Sequence, residues 1–238
     1  QLEIIQVPSN VTEGSFQIPS LPLLPGIALQ NIAYTLYTSG STGNPKGVLV
    51  NYSSLHNFLS SMSFKPGLNT TDTLLAMTPV SFDISICEIL LPLFCGATVY
   101  LIDEMIRKDV KKLTTVIETS SITTIQATPS SYALLKNSSW VSNRPLKLMA
   151  GGEELPSSLA EYFLEQGHQF FNMYGPTEAT IWASTSAVEL KMPILIGEAV
   201  DNSALYVLDN FGNTPPLGVA GQLFITGKCV ADGYKNLA

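Results

Sequence analysis

From Asn31 to Tyr174 the chain alternates apolar runs of about five residues with stretches of about ten that carry a helical period, and few folds accommodate that rhythm. Ala33–Thr38, Thr73–Met77, Thr98–Ile102, Ile122–Gln126, Leu146–Ala150 and Gln169–Met173 read as strands. Tyr52–Met62 (with Ser53 as N-cap), Ile84–Phe94, Asp109–Thr119, Ser130–Lys136 and Ser157–Gln166 read as helices. Strands separated by a helix join in parallel through crossovers, and such a sheet is covered on both faces. The expectation is an α/β fold, a largely parallel sheet with helices on both faces.

After Tyr174 the texture changes. Ala179–Val188, Ala204–Leu208 and Gln222–Thr226 read as strands joined by Asn, Gly and Pro turns, Asp209-Asn-Phe-Gly212 among them. This predicts a β-rich, barrel-like segment in place of further βα units. The opening residues are rich in Pro, Ser and Leu without either period. The chain thus divides into an irregular lead-in over 1–30, an α/β region over 31–178 and a β-rich segment over 179–238.

With 238 residues, 45% hydrophobic and only 13% charged, the chain can fill a substantial core and carries too little charge for disorder. Its net charge of −7 argues against a nucleic-acid surface and against a polybasic membrane patch. It leaves room for one anionic small molecule held by a local loop. The longest apolar stretch, Ile84 to Ile102, is broken by Glu88, Pro92 and Gly96, so no membrane span is expected. The sequence opens Gln-Leu-Glu without a basic region, which predicts no secretory signal. Cys87, Cys95 and Cys229 show neither zinc-ligand nor paired spacing. A cytoplasmic protein without nucleic-acid or membrane partners is the expectation.

The densest chemistry lies in Tyr37-Thr-Ser-Gly-Ser-Thr-Gly-Asn-Pro-Lys-Gly47, where a strand runs into a loop of glycines, hydroxyls and one lysine. Glycines let backbone N–H groups converge, hydroxyls add donors and Lys46 adds a point charge, a combination that suits a polyphosphate. Lys46 is followed by Gly47 and preceded by Pro45, so this is not a Walker A loop. A flexible soluble turn is the plain alternative.

Three more strings follow in order: Phe82-Asp83-Ile-Ser85 with Glu88, Asn172-Met-Tyr174-Gly-Pro-Thr-Glu178, and Gly221-Gln-Leu-Phe-Ile-Thr-Gly227 with Gly233-Tyr234. Together with the loop they resemble, from Ala33 to Tyr234, the adenylate-forming enzymes that include the adenylation domains of nonribosomal peptide synthetases. The resemblance implies part of the adenylate-forming fold and a reaction of ATP with an amino acid to give aminoacyl-AMP and pyrophosphate. Thr38, Ser39, Gly40, Ser41, Thr42, Gly43 and Lys46 would then embrace the ATP phosphates. Tyr174 would stack on adenine, Gly151, Gly152 and Glu153 would form the opposite wall, and Asn172 would offer its amide to the base. Thr177 would contact the α-phosphate and Glu178 would hold Mg²⁺, making Thr177, Glu178 and Lys46 the implied catalytic set. His56 and His168 fall outside every motif and read as structural or surface residues.

Asp83 admits two readings. It stands where a helix N-cap would, just before a capping-box spacing at Ser85 and Glu88. In the resembling family an aspartate here pairs with the substrate's α-ammonium, which favours an α-amino acid over an aryl or fatty acid. By motif alignment the pocket comprises Asp83, Ile84, Cys87, Gln126, Met149, Gly151, Met173, Ile181 and Trp182. Asp83, Ile84, Gln126, Gly151, Ile181 and Trp182 match the family's glycine-selecting pattern; Cys87, Met149 and Met173 stand where that pattern has leucine. Bulky side chains leave little room for a substrate side chain, although pliable methionine can admit alanine. An ordinary apolar core is the bland alternative.

The last motif departs from the family pattern at Gln222, Cys229 and Asp232, which puts its local turn geometry in doubt. The family's ribose-binding aspartate segment and its C-terminal catalytic lysine have no counterpart here, and Lys46 is not that lysine. The expected identity is the central piece of an adenylation domain that selects glycine or another very small amino acid. Its partners would be neighbouring synthetase domains and a peptidyl carrier protein, whose phosphopantetheine thiol receives the acyl group. Two other readings are a nucleotide-binding scaffold without catalysis and an acyl-CoA synthetase-like ligase.

Overall fold

A computed structural model describes residues 26–38 and 44–235. In chain order the strands are β1 (Ile32–Thr38), β2 (Lys46–Asn51), β3 (Thr73–Ala76), β4 (Thr98–Leu101), β5 (Thr124–Ala127), β6 (Lys147–Gly151), β7 (Gln169–Tyr174), β8 (Ser184–Ala187), β9 (Glu198–Ala199), β10 (Ser203–Leu208), β11 (Gln222–Gly227) and β12 (Gly233–Tyr234). The helices are α1 (Tyr52–Met62), α2 (Ile84–Cys95), α3 (Glu104–Arg107), α4 (Val110–Thr119), α5 (Pro129–Asn137) and α6 (Ser157–Leu164).

The principal sheet has seven strands in the order β4-β3-β5-β6-β7-β8-β9. The first five are parallel and the last two antiparallel. Alternate residues face opposite sides of a strand, and the core follows that rule. Leu75, Ile125 and Leu148 pack with Tyr132, Phe163 and Phe170 on one face. Their neighbours Leu74 and Met149 join Phe58, Met62, Leu91 and Trp182 on the other. Burial on both faces is what parallel strands require, and β3 and β5 are buried throughout.

Helix ends follow local chemistry. Asp109 accepts from the N–H groups of Lys111 and Lys112 to start α4, and Thr128 with Pro129 opens α5. α1 differs from expectation, because Asn51 and not Ser53 caps it, its Oδ1 accepting from the Ser54 N–H at 2.8 Å. The capping box at Ser85 and Glu88 does not form. Ser85 Oγ donates to the Phe82 carbonyl, while Glu88 reaches back to Met77 and Thr78. Asp83 occupies the N-cap position of α2, but its side chain makes no capping bond.

The expected strand over Ala179–Val188 is also corrected. A 3₁₀ turn covers Thr177–Ala179, Thr180 and Ile181 adopt left-handed conformations, and only Ser184–Ala187 pairs in the sheet. β2 was not anticipated, since its short Val-Leu-Val run follows immediately on the glycine-rich loop. It pairs antiparallel with β1 and, at its other edge, with β12. β10 and β11 form an antiparallel pair, joined through a turn in which Asp209 Oδ1 accepts from Phe211 and Asn213. The three cysteines are free thiols, and His168 is structural, its Nδ1 accepting from the buried Leu146 N–H.

Candidate active site

Ligands of parallel α/β sheets lie beyond the carboxyl ends of the strands, where loops diverge. Here those ends carry Asp83 after β3, Gly151 to Glu153 at β6, and Tyr174 to Glu178 after β7. Between β6, β7 and the 193–196 segment lies a cavity of about 740 Å³, lined by Gly152, Glu153, Asn172, Tyr174, Pro193 and Ile196. It is large enough for a nucleoside. Asn172 Nδ2 donates to the Leu195 carbonyl at 2.9 Å, leaving its Oδ1 without a hydrogen-bond partner among the described residues. Glu153 accepts from the Ser130 N–H and hydroxyl, which pins the loop after β6 to the start of α5.

The nine expected pocket residues come together. Cys87, Met149, Met173, Ile181 and Trp182 are buried in one cluster, with Ile84 packed against it. The Trp182 indole donates to Gln126 Oε1 at 3.1 Å, and Gln126 Nε2 donates to the Ile84 carbonyl at 3.3 Å. The indole lies over Gly151, where a Cβ would stand 2.7 Å from both Trp182 Cζ3 and the Met173 carbonyl oxygen. Only glycine permits that approach.

A strained turn aims the tryptophan. Thr180 (φ 55°) and Ile181 (φ 71°) are both β-branched residues in the left-handed region, a costly conformation that persists where surrounding contacts enforce it. Thr180 Oγ1 donates to the Cys229 carbonyl at 2.7 Å and the Trp182 N–H to the Thr180 carbonyl. Gly175 allows the turn to pack closely, since a Cβ there would lie 2.6 Å from both Ala183 N and Ile181 O.

At the pocket mouth, burial pushes the Asp83 carboxyl above its ordinary range, opposed by a hydrogen bond from Thr177 and reinforced by the nearby Glu178 charge. An ammonium group would relieve both the burial cost and the like-charge repulsion. Glu178 Oε1 accepts from the Tyr234 hydroxyl at 2.8 Å, and Lys46 Nζ sits 5.4 Å from the centre of the same ring. Three separate motifs thus meet at one place. Thr38 is registered against Lys46 across β1 and β2, so the loop between them springs from this corner. Ser39, Gly40, Ser41, Thr42 and Gly43 lie outside the described residues.

Two features were not singled out from sequence. The Tyr34 hydroxyl is buried without a hydrogen-bond partner among the described residues, and Asp83 and Cys87 help burial to raise its pKa. Its place on an apolar strand gave no signal. Glu88 is fully buried, and burial pushes its carboxyl up to about 7 despite hydrogen bonds from Thr78, Met77 and Gln126. A lone glutamate within an apolar helix was the available clue. Among the described residues no group of three His, Cys, Asp or Glu side chains is placed to hold a metal alone, and no helix is long and apolar enough to cross a membrane.

Known proteins resemble the chain throughout this region. A family described as AMP-binding enzyme matches residues 7–235. The PKS-NRPS hybrid synthetase acdB of Aspergillus candidus is 40% identical over 208 residues, covering 87% of this chain and 8% of that protein. A four-domain nonribosomal peptide synthetase, solved with AMP and glycine, superposes with a TM-score of 0.80 at 39% identity, over 85% of this chain and 15% of the other. The Vibrio cholerae adenylation domain AlmE, solved with glycyl-adenosine-5'-phosphate, gives 0.78 at 26% identity, over 88% and 42%. The chain therefore spans a small part of the synthetases it matches. With the family match running almost end to end over an adenylate-forming fold, the chain belongs to the AMP-binding enzymes and is similar to the adenylation domains of nonribosomal peptide synthetases.

Proposed function

We propose that this chain is the ATP- and amino-acid-binding part of a nonribosomal peptide synthetase adenylation unit, and that its substrate is glycine or another very small α-amino acid. The observation that carries the reading is the Trp182 indole, held by Gln126 and packed against Gly151 beside the buried Asp83. Such a pocket has a carboxylate for the ammonium and no space for a long side chain. The glycine found with one structural neighbour and the glycyl-adenylate found with another agree with it.

In the proposed reaction a carboxylate oxygen of the amino acid attacks the α-phosphorus of ATP. One P–O bond forms, the bond to the β-phosphate oxygen breaks, and pyrophosphate leaves with the electron pair. Asp83 holds the ammonium and so fixes the attacking carboxylate, which supplies the orientation term of catalysis. Tyr174, with Gly152 and Glu153 opposite, bounds the base, and the free Oδ1 of Asn172 suits an exocyclic amine. Lys46 faces the phosphates from the base of the loop that follows Thr38. The second oxygen of Glu178 has no hydrogen bond among the described residues, so the residue fits a Mg²⁺ shared with phosphate oxygens. When bound, that ion offsets negative charge on the phosphates. In the parent synthetase, the phosphopantetheine thiol of a carrier protein then attacks the acyl carbonyl, losing its proton and releasing AMP.

The test is equilibrium binding of the purified chain to a non-hydrolysable glycyl-adenylate mimic, to its acetyl counterpart lacking the amine, and to AMP. The glycyl mimic is expected to bind at least about tenfold tighter than the acetyl one, the size of a charge-assisted contact. A folded chain that binds AMP but treats the two mimics alike would point to a nucleotide-binding module without amino-acid selection.

A further inference from the structure

Glu88 is the one carboxylate on α2 and none of its side chain is exposed. It faces away from solvent into the region between the β3–α2 connection and β5. One oxygen accepts from the Met77 and Thr78 N–H groups, each at 2.8 Å, and the other from the Thr78 hydroxyl at 2.6 Å. The Gln126 side chain is its further hydrogen-bond partner. The Gln126 amide therefore has both ends engaged: its nitrogen serves Glu88 and the Ile84 carbonyl, and its oxygen is thereby turned toward the Trp182 indole. An amide can be flipped at little cost where its neighbours are ambivalent. A carboxylate that only accepts removes that ambivalence.

We propose that Glu88, which lies outside the nine pocket residues, is a positioning residue for substrate selection: it fixes the orientation of Gln126, which in turn holds Trp182 as the plug of the amino-acid pocket. The inference rests on the amino-acid-binding reading for its functional consequence, but the chain of contacts exists without a ligand. With Glu88 ionised, Gln126 has one favoured orientation and Trp182 one partner. When the acceptor at 88 is lost, Gln126 can turn its nitrogen toward the indole, two donors then face each other, and the indole withdraws. A withdrawn indole opens space next to Gly151 for a substrate side chain. Because burial raises the Glu88 carboxyl, the relevant measurements belong at about pH 8.5, above its titration.

The chain has two tryptophans, so its indole N–H signals report the plug directly. Trp140 donates to Glu118 at 2.9 Å, far from Glu88 in the contact network, and serves as the internal reference. In Glu88→Gln the Trp182 indole signal is expected to shift and to exchange with solvent about tenfold faster, with Trp140 unmoved, as for a lost charge-assisted hydrogen bond. The affinity ratio of glycyl to alanyl adenylate mimic is expected to fall by about the same factor while AMP affinity stays constant. In a Gln126→Met background Glu88→Gln is expected to change neither signal further, since the intermediary is gone. A folded Glu88→Gln chain with an unchanged Trp182 signal overturns the proposal, whatever the ligand data show. If Glu88→Gln does not fold, Thr78→Val, which removes one anchor of the same carboxylate, carries the test, and an unmoved Trp182 signal there overturns it equally. Wild-type chain that shows the indole effects but no preference among mimics instead contradicts the amino-acid-binding reading.

Discussion

Gly151→Ala places one methyl group in the contact that closes the pocket. The new Cβ would lie 2.7 Å from the Met173 carbonyl oxygen and from Trp182 Cζ3, whereas non-bonded carbons settle near ~3.5–4.0 Å. Neither neighbour yields freely. The Met173 carbonyl belongs to β7, directly registered with Gly151 on β6, and the indole is tied to Gln126. Overpacking costs about 1–3 kcal/mol, and with a main-chain atom among the obstacles the upper value of about 3 kcal/mol is expected. For a chain of this size that lowers Tm by roughly 6–12 °C. Urea denaturation of wild type, G151A, W182F and the double variant measures both the cost and its cause. Phenylalanine is the smaller ring at 182, so the two changes should couple by about 1–2 kcal/mol in the favourable direction. A G151A chain within about 0.5 kcal/mol of wild type, or strict additivity in the cycle, would refute the packing described.

Asp83→Ala should weaken the glycyl-adenylate mimic by roughly 10- to 100-fold, the size of a charge-assisted contact, and leave AMP affinity intact; equal binding of amine-bearing and amine-free mimics by the wild type would remove the ammonium role. Trp182→Ala should admit larger aminoacyl mimics while costing about 3–5 kcal/mol of stability, read by calorimetric competition and denaturation together. Tyr234→Phe removes the donor to Glu178 but keeps the ring beside Lys46, so stability should fall by only about 0.5–1.5 kcal/mol. A loss in Tyr234→Phe as large as that of a core deletion would contradict the geometry. The Glu88 carboxyl, raised from 4.5 to about 7 by burial, makes native protein bind more protons than unfolded protein between those values. Stability conferred by its protonated form is present below about pH 4.5 and is lost as pH rises through about 7, by about 3 kcal/mol in all. Nearby Cys87 and Tyr132 are held neutral by burial across that window, so Glu88→Gln should flatten this part of the profile. An identical slope in both proteins would show that Glu88 does not titrate there.

The sheet was legible because its strands are buried on two faces and therefore read as continuous apolar runs between helical periods. β3, β5, β6 and β7 lie within a residue or two of where pattern placed them. The order of the strands and the antiparallel pairing of β8 were not legible, since neither leaves a periodic trace. The run from Ala179 to Val188 misled for a physical reason. Thr180 and Ile181 have the composition of a strand, but contacts to Cys229 and Gly175 force them into left-handed backbone, and it is this turn that delivers Trp182 to the pocket. Ser53 lost the cap to Asn51 because β2, itself unforeseen, ends there and sets the angle of entry. Glu88 looked like half of a capping box; burial and the β3–α2 connection gave it four hydrogen-bond partners elsewhere. The candidate site was readable through its motifs, whereas the bonds between motifs, Tyr234 to Glu178 and Gln126 to Trp182, exist only in three dimensions.

Calorimetric titration of the folded chain with glycyl-, alanyl- and phenylalanyl-adenylate mimics tests the central claim most directly. One methylene is discriminated by about 1–3 kcal/mol, so the glycyl mimic should bind roughly tenfold or more tighter than the alanyl. The phenylalanyl mimic should bind no better than AMP, because Trp182 occupies the space its ring needs. Equal affinity for all three, or preference for phenylalanyl, would contradict a pocket closed by Trp182 against Gly151.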